Sequence, residues 1–237
     1  MLRGWNGSGT IFFSWCNLRC VFCQNWEISH KGLGRAVKPH GIAAMMLDLQ
    51  ERGCHNINLV SPSHVVAQIL AAVEIAAKEG LFIPLVYNTG GYDSVEALAL
   101  LDGVIDIYMP DIKYGDAPVA RQYSKVRNYV EVNQRALKEM HRQVGDLTLD
   151  QRGLARCGLL IRHLILPENL AGTEQVLAFI AREVSVNTYL NLMDQYRPCY
   201  RADEYPPLDR PISSAEYRAA LAIAERHGLR RLDQRRA

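Results

Sequence analysis

The stretch GTIFFSWCNLRCVFCQN, residues 9–25, joins an apolar run to a cluster of three cysteines. The run at 9–13 predicts a β-strand, because uncharged apolar and β-branched side chains favour a strand that is covered on both faces. Cys16, Cys20 and Cys23 follow at C-x3-C-x2-C spacing. Three sulfurs on one short loop predict a metal centre at the end of this first strand.

The composition indicates a packed protein in a reducing compartment. The chain has 237 residues, of which 49% are hydrophobic and 22% charged, and its formal net charge is +2. Such a weak charge gives no electrostatic reason to expect a nucleic-acid partner. The sequence shows neither an apolar run long enough to span a membrane nor a signal-peptide pattern. We therefore expect a cytoplasmic protein without a membrane partner, in which clustered thiols bind metal or act in catalysis rather than form disulfides.

Apolar runs and helical patterns alternate along the chain. The runs that predict strands lie at 9–13, 57–61, 82–88, 104–110, 159–167 and 186–193. The helical patterns lie at 41–53, 63–80, 94–103, 118–143, 173–184 and 213–228, and a loop or small hairpin is expected at 144–158. Strand–helix units repeated in this way predict parallel strands with right-handed crossovers, in an open doubly wound sheet or a barrel. We find no boundary that would divide residues 1–237 into separate domains.

The number of cysteines in the loop limits the choice of metal centre. A structural zinc site uses four protein ligands, and no second Cys or His pair lies near the loop. Three thiolates suit a 4Fe–4S cluster that leaves one iron without a protein ligand, whereas an electron-transfer ferredoxin uses four. Two alternatives remain: zinc with one external ligand, or three reduced cysteines without metal. Cys54, Cys157 and Cys199 are scattered, and we interpret them as structural.

The loop CNLRCVFC at 16–23 resembles the C-x3-C-x-aromatic-C motif of radical S-adenosylmethionine (SAM) enzymes. The stretches LVYNTGGYDS, DIYMPDIKY, LIRHLILPEN and NLMDQYRP are similar to the branch of pyruvate formate-lyase activating enzyme-like proteins, which activate glycyl-radical enzymes. The resemblance implies an α/β fold, a partial (β/α)6 barrel of the TIM type. It also implies a 4Fe–4S cluster on Cys16, Cys20 and Cys23, with SAM on the open iron.

That resemblance carries a reaction and partners with it. In the family, the reduced cluster cleaves SAM to a 5′-deoxyadenosyl radical, which abstracts hydrogen from a substrate. The branch implies a glycine of a partner protein as the substrate, and an electron donor such as flavodoxin or ferredoxin. A truncated, inactive relative that only binds zinc or an iron–sulfur cluster is the alternative.

Two groups of candidate SAM contacts lie near the first two strands. By resemblance, Phe22 packs on the adenine edge, although a core aromatic would occupy such a position as well. Ser61 and Ser63, at the end of the second strand, are candidates to take the SAM ammonium group. Ser63 is equally interpreted as the N-cap of the following helix.

Polar residues at the ends of later strands complete the candidate set. Asn88 is expected to face the barrel mouth, although the Gly90–Gly91 pair beside it is typical of a turn. Asp111 and Lys113 project the same way if the backbone stays extended, and they form either a cofactor site or a surface ion pair. Arg162 is expected to enter the barrel and meet a carboxylate, from SAM or from Asp111, or to serve as a paired structural arginine.

The sequence departs from the family pattern at three places. Trp15 precedes the first cysteine, where family members often have a small residue. The segment SPSH at 61–64 stands where many members have a Gly-Gly-Glu type motif for the SAM amino group. The first predicted strand begins only eight residues from the start, so we expect either a short member that lacks an N-terminal extension or a truncated reading frame.

Overall fold

The structure, a computed structural model, describes residue 2 and residues 4–233. Its strands are β1 (Gly9–Phe12), β2 (Ile57–Val60), β3 (Leu85–Thr89), β4 (Ile107–Pro110), β5 (Thr148–Leu149), β6 (Ala155–Leu164) and β7 (Tyr189–Met193). Its α-helices are α1 (Trp26–Ser29), α2 (Pro39–Glu51), α3 (Val66–Lys78), α4 (Val95–Ala99), α5 (Ala117–Ser124), α6 (Tyr129–Val144), α7 (Thr173–Phe179) and α8 (Ser214–Arg226). A π-helical segment at Ile180–Val184 continues α7.

Six parallel strands form a curved sheet in the order β1-β2-β3-β4-β6-β7. The short β5 pairs antiparallel with β6, which confirms the hairpin expected before the fifth predicted strand. Within the described residues β1 and β7 do not pair with each other, so the sheet stays open between them. The fold is therefore the α/β partial barrel of parallel strands that the family resemblance implied, and the doubly wound alternative is excluded.

The two faces of β1 show which side of the sheet is the inside. Gly9 and Ile11 are buried towards the helices, where a side chain at Gly9 would collide with Leu49 of α2. Thr10 and Phe12 point to the other face and are exposed. On that face, a separate apolar cluster fills the bottom of the barrel: Val86, Ile107, Met109, Leu147, Ala155, Leu160 and Tyr189. The inner face of β1 is exposed because no strand closes the barrel beside it.

Two of the predicted helix starts are confirmed and one is wrong. The Ser94 side chain accepts a hydrogen bond from the Ala97 amide at the start of α4, and Ser213 and Glu216 form a capping box at α8. The prediction that Ser63 caps a helix is wrong, because α3 begins only at Val66. A left-handed backbone at Ser61 turns the chain first, and the Ser63 hydroxyl lies 2.9 Å from the Thr89 hydroxyl instead.

The single helix predicted at 118–143 is divided in the structure. Lys125 adopts a left-handed conformation, with φ of 62°, and ends α5. A second helix, α6, begins at Tyr129. The break places the end of α5 against the cysteine loop and the start of α6 beneath the strand ends, and both contacts shape the site. In the part of the chain that the structure describes, no helix has the length and apolarity that crossing a membrane requires.

Candidate metal and cofactor site

A cavity of about 240 Å³ lies at the carboxyl ends of the parallel strands. The cysteine loop after β1 forms one side, and the ends of β2, β3, β4, β6 and β7 form the rest. Of the predicted site residues, those that line it are Cys16, Cys20, Cys23, Phe22, Ser61, Asn88, Asp111, Lys113 and Arg162. Barrel enzymes place their chemistry at this end of the strands. Nine of the ten predicted positions thus converge, from five separate segments of the sequence.

The exception is Ser63, which lines a neighbouring depression with Asn17 and Tyr92. Its hydroxyl belongs to a buried network around Asp93, whose carboxylate accepts hydrogen bonds from Tyr87 and Thr89 at 2.9 and 2.6 Å. Burial raises the pKa of Asp93, and the hydrogen bonds from the neighbouring hydroxyls oppose that rise. The structure therefore places Ser63 behind the cavity wall, where it supports Thr89.

Backbone hydrogen bonds fix the cysteine loop on both sides. The amides of Arg19 and Val21 donate to the carbonyls of Ser124 and Tyr123, at 3.1 and 2.8 Å. The Arg201 amide donates to the Val21 carbonyl at 3.0 Å. These partners come from two distant segments of the chain, so backbone contacts hold the loop from both sides.

Trp15, the bulky residue before the first cysteine, is accommodated by an uncommon backbone conformation. Its φ is 72°, a left-handed value that is rare for an aromatic residue. Its indole packs over Gly32, where a Cβ atom would lie only 2.4 Å from the ring. About half of the Trp15 side chain remains exposed, at 49%. The indole therefore lies on the surface beside the loop, while Cys16 still reaches the cavity.

Each cysteine sulfur of the loop meets a hydrogen-bond donor. The Leu18 amide lies 3.4 Å from the Cys16 sulfur, and the Ser124 hydroxyl lies 3.0 Å from the Cys20 sulfur. Burial raises the pKa of Cys20 to about 11, while the Lys113 charge and the Ser124 hydrogen bond act to lower it. Burial also raises the pKa of Cys23, and hydrogen bonds from Asn25 and Ser29 oppose it. These donors offset part of the cost of burying a negatively charged sulfur, the form that binds metal.

The donor set fits an iron–sulfur cluster better than a single ion. Among the described residues, no three His, Cys, Asp or Glu side chains lie close enough to hold one metal ion. A cubane cluster makes a different demand, because each thiolate binds its own iron and the sulfurs stand farther apart. Cys54, Cys157 and Cys199 do not line the cavity. The three cysteines of the loop all line one cavity, and three thiol donors are the set that would suit a cluster with one open iron.

The wall opposite the cysteine loop carries a charge network. The Arg162 guanidinium donates from Nε to Asp111 Oδ1 at 2.9 Å and from Nη2 to Asn88 Oδ1 at 2.9 Å. Lys113 donates to the other Asp111 oxygen at 2.5 Å. Burial alone would raise the pKa of Asp111, but the charges of Arg162 and Lys113 outweigh it and the pKa is lowered. The carboxylate is therefore ionised, and the group keeps one net positive charge.

Helix α6 holds the strand ends that carry this network. The Tyr129 hydroxyl donates to the Gly90 carbonyl at 3.0 Å and accepts from the Lys113 amide at 2.9 Å. The Asn133 side chain donates to the carbonyls of Gly91 and Asp111, at 2.9 and 3.0 Å. Gly91 must be glycine, because a Cβ atom there would lie 2.1 Å from the Asp111 carbonyl oxygen. The Gly-Gly turn thus allows the ends of β3 and β4 to meet beneath the cavity.

Comparison with known proteins agrees with this geometry. Residues 10–154, more than half of the chain, match the sequence profile of the Radical SAM superfamily. The chain belongs to the radical SAM superfamily. Members of this superfamily use a 4Fe–4S cluster and SAM and catalyse radical reactions.

Other matches show how much of each similar protein the chain covers. An uncharacterised protein of Methanocaldococcus jannaschii, MJ0674, is 34% identical over 231 residues, which are 94% of this chain and 63% of that protein. HydG, a maturase of the [FeFe]-hydrogenase, superposes with a TM-score of 0.62 at 12% identity, over 95% of this chain and 50% of its own. Methylornithine synthase (PylB) gives 0.60 at 17% identity, over 95% and 63%. The chain thus spans between half and two thirds of each of these proteins.

Proposed function

We propose that this chain is a radical SAM enzyme that cleaves SAM by one-electron reduction and uses the resulting radical to abstract hydrogen from a substrate. The observation that supports this most directly is that three cysteine thiols and a cationic network share one cavity of about 240 Å³. The 4Fe–4S cluster and SAM would supply the radical chemistry when bound. The chain's own residues would bind, orient and shield them.

The roles we propose for the side chains follow from their charge and position. Cys16, Cys20 and Cys23 would hold the cluster. Lys113 and Arg162 outnumber the single carboxylate of Asp111, so this wall would attract the carboxylate of SAM.

Aromatic and amide groups would receive the rest of the cofactor. Phe22 is buried and meets Tyr196 edge-to-face, with ring centroids 5.9 Å apart, which makes an apolar corner suited to adenine. Asn88 already accepts a hydrogen bond from Arg162 and would present its remaining amide donors to the ribose or methionine part. Ser61, at the end of β2, would face the ammonium group.

For the substrate, we propose a glycine-containing loop of a partner protein, as in glycyl-radical enzyme activation. The resemblance to that branch motivates the proposal, and the open side of the barrel supports it. Phe12 on the inner face of β1 is 48% exposed, and Leu33 beside it is 55% exposed. An apolar groove of about 530 Å³ runs along this edge, lined also by Val37, Ile42 and Met45. A polypeptide could enter here with its apolar side chains covered.

The electron would come from a separate protein, and we propose an acidic donor such as flavodoxin or ferredoxin. Three cations surround the cysteine loop and stack on aromatic rings: Arg19 on Trp15, Lys31 on Trp26, and Lys125 on Tyr205. Within the described residues none of the three forms an ion pair with a carboxylate. A positively charged, aromatic surface beside the cluster ligands would attract and orient an acidic partner.

The experiment that tests the function is anaerobic reconstitution with iron and sulfide, followed by reduction with dithionite in the presence of SAM. We expect about four irons per chain and formation of 5′-deoxyadenosine. The Cys20→Ala variant should lose both, whereas Cys157→Ala, which removes a cysteine outside the cavity, should keep both. A chain that binds one zinc and no cluster would instead be the non-catalytic relative. A chain that binds the cluster but releases no nucleoside would be an inactive member of the family.

A further inference from the structure

A buried pair of hydroxyl groups lies directly behind one of the three cluster cysteines. The Ser124 Oγ atom is 3.0 Å from the Cys20 sulfur and 2.8 Å from the Tyr114 hydroxyl oxygen. Ser124 is fully buried and Tyr114 is 1% exposed, so water does not compete for these contacts. Neither residue lines the SAM cavity. Hydrogen bonds therefore connect Cys20 to Ser124 and Ser124 to Tyr114, in a series that leads from the cysteine loop into the core.

The fold fixes the position of the middle member. Ser124 is the last residue of α5, because Lys125 turns the backbone into the left-handed region. Its carbonyl accepts the Arg19 amide at 3.1 Å, which ties the end of α5 to the cysteine loop. Tyr114 follows β4 and packs edge-to-face on Tyr129, with centroids 5.5 Å apart. Both hydroxyls are thus held by backbone and ring packing.

Cluster binding determines the direction of the hydrogen bonds. A metal-bound thiolate has no proton and can only accept, so the single proton of Ser124 must point at the Cys20 sulfur. The Ser124 oxygen then has only lone pairs left for Tyr114, which must donate. Burial raises the pKa of Tyr114 well above its usual value, so its hydroxyl keeps the proton that this arrangement needs. Each bond polarises the next, which strengthens the donor at the sulfur.

We propose that Ser124, aligned by Tyr114, tunes the reduction potential of the cluster through a hydrogen bond to the Cys20 sulfur. Reduction places more negative charge on the sulfurs, so a donor at that position stabilises the reduced cluster and raises its potential. The inference rests on the proposed function only in requiring a cluster on Cys20. Ser124 and Tyr114 are positioning residues. They act on the cluster through the Cys20 sulfur, and neither lines the cavity that would hold SAM.

The test is a potentiometric titration of the reconstituted cluster, followed by electron paramagnetic resonance, in matched variants. Ser124→Ala should move the potential in the negative direction. At a fixed solution potential it should leave about two- to fivefold less reduced cluster, because only the extra strength of the hydrogen bond in the reduced state is lost. Tyr114→Phe keeps the serine and should give a smaller shift of the same sign. Thr173→Val removes a different buried hydroxyl, one bonded to His163, and should leave the potential unchanged.

The outcomes separate this inference from the proposed function. If the wild-type chain takes up no cluster, the proposed function itself fails. If the wild type and both variants bind the same amount of iron per chain and their clusters have the same reduction potential, the tuning role is wrong and the proposed function stands. If Ser124→Ala fails to assemble a cluster, the potential of Tyr114→Phe decides the question, because that variant leaves the contact at Cys20 in place.

Discussion

The guanidinium of Arg162 and the carboxylate of Asp111 face each other across the ends of β6 and β4, with Nε 2.9 Å from Oδ1. Both side chains are largely buried, at 25% and 13% exposure. The partners are separated by fifty residues of sequence, yet a bridge between the two strands at these positions sets them side by side. Lys113 donates a hydrogen bond to the second carboxylate oxygen of Asp111. One carboxylate therefore pairs with two cationic side chains at the mouth of the barrel.

Asp111→Asn should destabilise the apo protein by about 3 kcal/mol, because it leaves two largely buried cations facing each other without a counter-charge. Urea unfolding followed by circular dichroism would measure the loss. Asp102→Asn is the matched control, since Asp102 pairs with Arg142 at an exposed site and the same change should cost less than about 1 kcal/mol. Equal losses in the two variants would show that the Asp111 network has no special place in the stability of the barrel.

Tyr129→Phe should weaken SAM binding as well as stability. The change removes hydrogen bonds to the Gly90 carbonyl and from the Lys113 amide, so the turn after β3 and the segment after β4 lose their common anchor. We expect a loss of about 1–3 kcal/mol in unfolding free energy and weaker SAM affinity in anaerobic calorimetry. Tyr92→Phe provides the comparison, because the Tyr92 hydroxyl bonds to the exposed Asn128. An unchanged SAM affinity in Tyr129→Phe would contradict a positioning role for α6.

Reversing the charge of the three cationic side chains beside the cysteine loop should affect reduction of the cluster by a protein donor but not by dithionite. In the triple variant Arg19→Glu, Lys31→Glu and Lys125→Glu, we expect 5′-deoxyadenosine formation with flavodoxin or ferredoxin to fall at least tenfold at low salt. Formation driven by dithionite should persist, because dithionite needs no docking surface. The wild-type rate with the protein donor should also fall as ionic strength rises.

The control for that variant carries the same change in charge at the opposite end of the barrel. Arg52 and Lys78 lie at the ends of α2 and α3, and Arg152 lies in the β5–β6 turn, all at the amino end of the sheet. Replacing these three with glutamate should leave the donor-driven rate close to that of the wild type. An equal loss in both triple variants would mean that net charge matters and that the surface beside the loop does not.

The sequence predicts the strand-end part of the site well because period and spacing carry that information. A run of apolar residues that stops at Pro110 puts Asp111 at the carboxyl end of a parallel strand, and the same holds for Asn88. The sequence does not reveal that Ser124 and Tyr129 contact the site. Their contacts depend on the left-handed Lys125, which divides one helical pattern into two helices, and lysine gives no local signal for such a break.

Ser63 shows the opposite limit. A serine after a proline at the start of a helical pattern is a good N-cap by local rules. In the structure a nearby carboxylate in the core, Asp93, draws the hydroxyls of Ser63 and Thr89 into one network, and the helix begins three residues later. A tertiary contact outweighs the local preference, and no periodicity in the sequence records it.

The neighbouring residues Arg162 and His163 lead to a prediction about pH. As expected for adjacent strand positions, they face opposite sides, and His163 is fully buried on the helix side. Its Nδ1 donates to the Ile112 carbonyl at 2.7 Å, and its Nε2 lies 3.1 Å from the Thr173 hydroxyl, so a neutral ring satisfies both contacts. Burial lowers the pKa of His163 to about 4, although the Ile112 carbonyl and the Asp111 charge oppose this.

A depressed pKa in the folded state makes stability depend on pH in one direction. Above the ordinary histidine pKa of about 6.5, the ring is neutral in both states and its contribution is complete. As the pH falls from about 6.5 to 4, the His163 ring becomes protonated in the unfolded chain but stays neutral in the folded chain. Unfolding free energy should therefore decline by up to about 1.4 kcal/mol per pH unit from this group. His163→Gln should flatten that slope, and His40→Gln, at an exposed position, should not. Parallel slopes in wild type and His163→Gln between pH 6.5 and 4.5 would show that other groups govern the acid sensitivity of the barrel.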